Sequence, residues 1–280
     1  MYESFFGLRE PAFSLTPDPR FLWPSETHEE GLAALVYGIL RRKGFLLLTG
    51  EVGTGKTTLL RAALDRLPPE TEVALVMNTS DLKPLDLLKL IAAELRIGER
   101  MESKVDYVIA LNAYLLDRLR SGQNTVLIID EAQNLDPALL EEVRLLSNLE
   151  TDTEKLLQIV LTGQPELKHK LASVHLRQLR QRIAIEHHVK PLGRAEVGPF
   201  LAHRIQVAGG RYEEVFAPGV EPIFYSFSGG IPRLLCLLAD RALLSAFSRQ
   251  VRPVPLALVE AKAKEMEEVR ASQELGERGG

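Results

Sequence analysis

Eight consecutive residues constrain this chain most: Gly50-Glu51-Val52-Gly53-Thr54-Gly55-Lys56-Thr57, which fit the pattern G-x-x-x-x-G-K-[ST]. The apolar run Phe45 to Thr49 precedes them, and a helical pattern from Thr57 to Leu67 follows. A strand that turns sharply into a helix needs glycines where the backbone curls, and the curl points successive N–H groups at one spot. The start of the helix adds positive potential there, and the Lys56 ammonium can reach the outer phosphates of a nucleotide. The segment reads as a phosphate-binding loop in which Gly50, Gly53, Thr54, Gly55, Lys56, Thr57 and Thr58 hold the nucleotide and the Thr57 hydroxyl ligates Mg²⁺.

Strand and helix patterns alternate on both sides of this loop. His28 to Arg42 reads as helix behind a Ser25 or Thr27 cap, Glu72 to Met77 as a strand leading to Asn78, and Leu85 to Leu95 and Tyr107 to Arg120 as helices. Thr125 to Asp130 is apolar on both faces, as a buried parallel strand should be. Pro137 to Leu149 reads as helix, Leu156 to Thr162 as strand, Leu167 to Arg182 as one helix and Ile183 to Val189 as the last strand. Such alternation predicts an α/β fold: a parallel sheet with helices on both faces. After Pro191-Leu192-Gly193 the strand signal vanishes and only helical patterns remain, at 195–208, 220–227, 231–247 and 256–269. The expected organisation is an extended, Phe- and Pro-rich arm over 1–27 packed on the nucleotide-binding core, that core over 28–191, a helical domain over 192–270 and a flexible tail over 271–280.

Ligands of open parallel sheets bind outside the carboxyl ends of the strands. Asp130 and Glu131 stand at such an end, where Asp130 would hold Mg²⁺ directly or through water and Glu131 would orient and deprotonate an attacking water. The plainer alternative makes the pair a polar loop start or the cap of the next helix. The following strand ends Leu161-Thr162-Gly163-Gln164, and Gln164 is preferred over Thr162 as the group that touches the γ-phosphate or the water.

Charge and cysteine usage exclude several other roles. The net charge of −4 and pI near 6.0 give no bulk attraction to nucleic acid or anionic membrane, so such binding would need a local patch. The single cysteine, Cys236, cannot make an internal disulfide and reads as a small buried apolar residue, with the cytoplasm as default compartment. No secretory signal or membrane-spanning run is present: Arg233, Asp240 and Arg241 interrupt the oily stretch from Ile231 to Phe247. His187-His188 on a strand would face opposite ways and read as structural, and Arg41-Arg42-Lys43 as a solvated helix end.

The order of these elements (phosphate loop, apolar strand ending Asp130-Glu131, polar strand end, arginine-rich helix, all-helical domain with Gly230-Ile231-Pro232-Arg233) resembles an AAA+ ATPase. That resemblance implies a five-stranded parallel sheet of order 5-1-4-3-2, a helical lid, and ATP with Mg²⁺ as ligands. More narrowly, Tyr2 to Leu8, Phe13 to Leu22, Leu48 to Thr58, Asp130 to Leu135 and Leu161 to Leu167 are similar to the ExeA/GspA type, over about residues 1–265. Members of that type imply Mg-ATP hydrolysis that drives work in secretion, pilus or envelope-polysaccharide assembly. A homo-oligomeric ring such as a hexamer, a separate membrane or envelope partner and a site at the inner membrane follow from the same resemblance. This chain departs from the family by ending just after the lid, which leaves a direct peptidoglycan role in doubt. Arg233 matches the position that closes on the γ-phosphate in cis.

Arg177, Arg180 and Arg182 stand where the family keeps a finger for the neighbour's site. Arg180 and Arg182, about 200° apart on a helix, cannot share one face. Arg182 is the first choice of finger and Arg177 the second. Two alternatives stand beside the ATPase. One is a DNA-associated regulator of the TnsC-like transposition type, using a basic strip of Lys168, His169, Lys170, Arg177, Arg180 and Arg182, which the overall charge disfavours. The other is a nucleotide-gated scaffold with little turnover, which an intact Glu131 argues against.

Overall fold

Five strands, β1 (Phe45–Gly50), β2 (Glu72–Val76), β3 (Thr125–Ile129), β4 (Gln158–Gly163) and β5 (Ile183–Val189), pair in parallel in the order β2-β3-β4-β1-β5. This is the expected 5-1-4-3-2 order read from the other edge. The computed structural model describes residues 1–77, 82–98 and 101–277, so Asn78 lies outside the described residues. The helices are α1 (Glu26–Leu40), α2 (Lys56–Leu64), α3 (Pro84–Glu94), α4 (Lys104–Arg120), α5 (Pro137–Leu146), α6 (Pro165–Leu171) and α7 (Arg177–Arg182), then α8 (Val197–Val207), α9 (Tyr212–Val215), α10 (Glu221–Ser228), α11 (Pro232–Ser248) and α12 (Leu256–Glu277).

The chain divides into two units, and the first comprises residues 29–52 and 62–189. Every residue of β1, β3 and β4 is buried, because both faces of the sheet are covered. One face carries Leu47, Leu127, Ile129, Ile159 and Leu161 into a core with the apolar sides of α3, α4 and α5. On α1, Gly38 is required by packing, since a Cβ there would lie 2.4 Å from the Leu46 side chain and 2.7 Å from that of Ile185. Two of these helices start where short polar residues satisfy their first amides. Ser103 and Asp106 form a reciprocal box at α4, and Asp136 accepts from Leu139 N–H at 2.7 Å ahead of Pro137 at α5. The single helix expected over 167–182 is two: α6 ends at Leu171, a 3-10 turn covers Val174–Leu176, and α7 follows. The break buries Leu171, Leu176 and Leu179 on one core while Val174 is left exposed, a spacing that one continuous helix would not give.

The second unit gathers residues 1–28, 53–61 and 190 onward. Its core joins α8, α10, α11 and α12 to the N-terminal arm, whose Tyr2, Phe6, Leu8, Ala12, Phe13 and Phe21 are all buried in it. Within this unit the arm packs on the helical domain. Its prolines break periodicity, so the arm lies on its support by individual anchors: Arg204 donates to the carbonyls of Ala12 at 2.7 Å and Ser14 at 3.0 Å and sits 4.8 Å from the Phe21 ring centre. Arg252 donates to Phe5 O at 2.9 Å, Arg61 to Pro17 O at 2.7 Å, and the Tyr2 hydroxyl to Asp240. Burial and the Asp240 carboxylate together hold the Tyr2 hydroxyl protonated well beyond the ordinary phenol range. Cys236 is buried here as expected, and burial pushes its thiol up to about 11. The tail expected at 271–280 is helical as far as Glu277, because nothing between Leu256 and Leu275 interrupts α12. Among the described residues no helix is long and apolar enough to cross a membrane.

Gly230 fixes the turn into α11. Its φ is +82°, and a Cβ there would fall 2.0 Å from the Leu192 carbonyl oxygen, a backbone atom with no room to yield. Gly230→Ala should therefore lower the unfolding free energy by about 3 kcal/mol or more, from left-handed strain plus a forced backbone shift. Urea titration measures this, and a loss under 1 kcal/mol would mean the turn is formed differently.

Candidate phosphate loop and carboxylate site

The loop that opens α2 belongs, from Gly53 on, to the unit of the arm and helical domain. Gly53 and Gly55 have φ of +83° and +99°, values that L side chains rarely adopt and that let the chain curl before the helix. Curling turns carbonyls outward, and two of them are taken in turn. The Gly53 carbonyl accepts the Arg233 backbone N–H at 3.1 Å, and the Thr54 carbonyl lies 3.1 Å from His28 Nε2. Neighbours crowd both positions: a Cβ at Gly53 would lie 2.6 Å from Arg233 Cβ, and one at Gly55 would lie 3.2 Å from His28 Nε2. Lys56 is buried at the first position of α2, and Leu59 N–H closes the first turn on Gly55 O at 2.9 Å. Beside the loop, Leu22, Trp23, Thr54, Thr58, Phe200 and Pro232 line a cleft, so the arm, the loop and the helical domain all contribute to one depression. The Arg233 side chain is exposed at the start of α11.

The carboxylates lie in the sheet unit. Asp130 follows β3 and is buried, and its Oδ1 accepts the Thr162 hydroxyl and, at 3.0 Å, the Glu131 N–H. Thr162 is at the same level of the neighbouring strand, since Ile129 pairs with Leu161. Glu131 adopts φ +52° and ψ +39°, a left-handed conformation that costs a residue with a Cβ about 1–3 kcal/mol and is commonest at functional sites. That bend sends its side chain to two amides: Gln133 Nε2 donates to Glu131 Oε2, and Gln164 Nε2 donates to the same oxygen at 3.2 Å. Gln133 also accepts the Gln164 backbone N–H at 3.1 Å, and Gly163 has no side chain because a Cβ there would meet Gln133 Oε1 at 2.7 Å. The two strand-end candidates thus divide the work, Thr162 on Asp130 and Gln164 on Glu131. Gln133 carries no role in the sequence reading; its only signal is its place two residues after Glu131.

Arg182 falls at the opposite end of the strands. Phe45 pairs with Ile183 and Gly50 with Val189, so Arg182 stands where β1 begins, about 20 Å along the strands from where β1 ends. Arg182 donates to Ser147 Oγ at 2.7 Å, whereas Arg177 is exposed. The basic strip proposed for DNA is largely committed elsewhere: Lys168 pairs with Glu186 at 2.6 Å, and Lys170 holds the carbonyls of Gln133 and Leu135.

No group of three or more His, Cys, Asp or Glu suited to a metal occurs among the described residues. Mg²⁺ does not need one, because it is usually held by one or two carboxylates together with substrate phosphates and water. A buried Asp130 with one oxygen already ordered and the Thr57 hydroxyl are hard oxygen donors of that kind.

A parallel sheet in this order, a glycine-curled loop ahead of α2 and acids closing β3 define an AAA-type P-loop fold, and residues 39–171 match the family described as an AAA domain. Solved structures with the same fold include the ORC2 protein of Aeropyrum pernix, in ADPNP–ADP complexes (TM-score 0.70, 18% identity, 92% of this chain and 73% of that one). Cdc6p of Pyrobaculum aerophilum is another (TM-score 0.67, 20% identity, 87% and 67%), as is a Walker-type ATPase of Pyrococcus abyssi (TM-score 0.63, 19% identity, 95% and 79%). The chain is similar to an AAA protein of the general secretion pathway, being 48% identical over 250 residues to general secretion pathway protein A of Aeromonas hydrophila. It spans 89% of this chain but 45% of the relative, so the chain corresponds to about half of that protein's length.

Gln133→Leu strips an acceptor from Gln164 N–H and a donor from Glu131. Unfolding free energy should then fall by about 1–3 kcal/mol. Denaturant unfolding of the variant beside wild type checks this, and an unchanged midpoint would dissolve the network.

Proposed function

We propose that this chain binds and hydrolyses Mg-ATP and uses the cycle for conformational work in secretion or a related envelope-assembly process. The observation that carries the reading is Glu131, a residue in left-handed backbone conformation whose carboxylate is held by two side-chain amides next to a buried Asp130. In this reading the amides of Gly53 to Lys56 and the Lys56 ammonium hold the β and γ phosphates. Thr57 and Asp130 hold Mg²⁺, which when bound neutralises phosphate charge. Glu131 takes the proton of the attacking water; both amide bonds fall on Oε2, which leaves Oε1 to face that water. Gln164 keeps Glu131 in place, Thr162 does the same for Asp130, and the exposed Arg233 guanidinium closes on the γ-phosphate in cis.

The relative's name points the work toward secretion, and a partner at the inner membrane belongs to the same proposal. Assembly into a ring is part of it as well. Arg182 lies at the strand edge away from the loop, which suits a finger offered to a neighbouring copy, and exposed Arg177 is the second candidate.

Lys56→Ala should abolish ATP binding in calorimetry, and Glu131→Gln should keep binding while turnover falls by about 10²–10⁴. Full turnover in the second variant would remove Glu131 from the chemistry. Arg182→Ala should bind ATP normally yet hydrolyse it about 10³-fold more slowly. Mixing it with Lys56→Ala protein should restore part of the rate, since each Lys56→Ala subunit still offers its arginine. Activity that neither depends on protein concentration nor recovers on mixing would return Arg182 to its bond with Ser147.

A further inference from the structure

His28 stands outside every motif, yet its imidazole is 3% exposed and is bonded at both nitrogens. Ser25 caps α1: its Oγ accepts the His28 backbone N–H at 3.3 Å and lies 2.6 Å from His28 Nδ1. With the hydroxyl proton directed to Nδ1, that nitrogen is the acceptor and Nε2 carries the hydrogen. Nε2–H then donates to the Thr54 carbonyl at 3.1 Å, inside the phosphate loop.

Thr54 is wholly buried, so its carbonyl needs a protein donor. A trans peptide is planar, with its C=O and N–H pointing in opposite directions. Whatever holds the Thr54 carbonyl therefore aims the Gly55 N–H the other way. Gly55, at φ +99°, has the freedom to turn that peptide over, and no side chain of its own resists the flip. The preceding peptide is held in the same manner by Arg233 N–H on Gly53 O, so two successive planes are clamped from outside.

We infer that His28 is a positioning residue for the phosphate loop: through the Thr54 carbonyl it presets the Gly55 amide toward the phosphates of the nucleotide. This rests on the reading of Gly50 to Thr57 as a phosphate loop. The arm thereby enters nucleotide binding indirectly, because Ser25, which orders the imidazole, closes the arm's path into α1.

The test measures ADP and inorganic pyrophosphate affinity by calorimetry for wild type, Lys56→Ala, His28→Ala, His28→Gln and His28→Asn. Glutamine places an amide nitrogen where Nε2 was, whereas asparagine reaches only as far as Nδ1. His28→Ala and His28→Asn should each weaken both ligands about tenfold, and His28→Gln should stay within about threefold of wild type. If His28→Ala fails to fold, the glutamine and asparagine pair decides alone. Wild-type affinity in His28→Asn while Lys56→Ala loses binding overturns the role of His28 and leaves the loop intact. Undiminished affinity in Lys56→Ala overturns the loop reading itself. Equal losses in the glutamine and asparagine variants, with matching drops in melting temperature, would make His28 a packing residue only.

Discussion

A backbone loop that turns its amides toward an anion must turn carbonyls away from it, and a carbonyl that is turned away and buried must still be bonded. Much of the second unit of this chain answers that requirement. The start of α11 supplies the donor for Gly53 O, and the start of α1 supplies the one for Thr54 O. Each donor is in turn located by a turn of special geometry, Gly230 at φ +82° before α11 and the Ser25 cap before α1. That arrangement explains why residues 53–61 group with the arm and the helical domain although they are continuous with β1. It also explains why two of the loop's glycines are crowded by neighbours as well as favoured by their own dihedrals.

The sheet unit solves a different problem, that of keeping an acid at a fixed angle. A glutamate on a flexible side chain samples many rotamers, and catalysis by a base requires one. Here the left-handed backbone at Glu131 sets the direction, and two glutamines hold the end of the side chain. Lys170, by bonding the carbonyls of Gln133 and Leu135, holds the short 3-10 turn that carries one of those glutamines. A cation that looked in the sequence like part of a nucleic-acid strip is therefore structural.

The parallel sheet was legible because strands buried on both faces are apolar throughout, as in Leu46 to Leu48 and Val126 to Ile129, whereas the strand order came from the resemblance to AAA+ ATPases. The loop and the two acids were legible because their spacing is chemistry. The arm's support was not, since Phe6, Phe13 and Phe21 are separated by prolines and carry no period that points to a partner. His28 and Gln133 escaped for a related reason. Each works through bonds to groups distant in sequence as well as near, His28 to Thr54 O and Gln133 to Gln164 N–H, and no pattern along the chain records such bonds. The split of α6 from α7 was hidden by the absence of any glycine or proline between Leu167 and Arg182.

The arm's anchors also set an order of events during synthesis. Tyr2 waits for Asp240, Phe5 for Arg252, and Arg9 N–H for the Ala208 carbonyl, so each of these arm residues is completed by one made much later. At roughly 5–20 residues per second, about 200–250 residues of translation separate the partners, an interval of roughly 10–50 s. Throughout it Phe5, Phe6 and Phe13 are outside the ribosome without their core. The sheet unit, whose sequence is finished by Val189, can fold in the meantime, which leaves the arm as a long-lived target for chaperones.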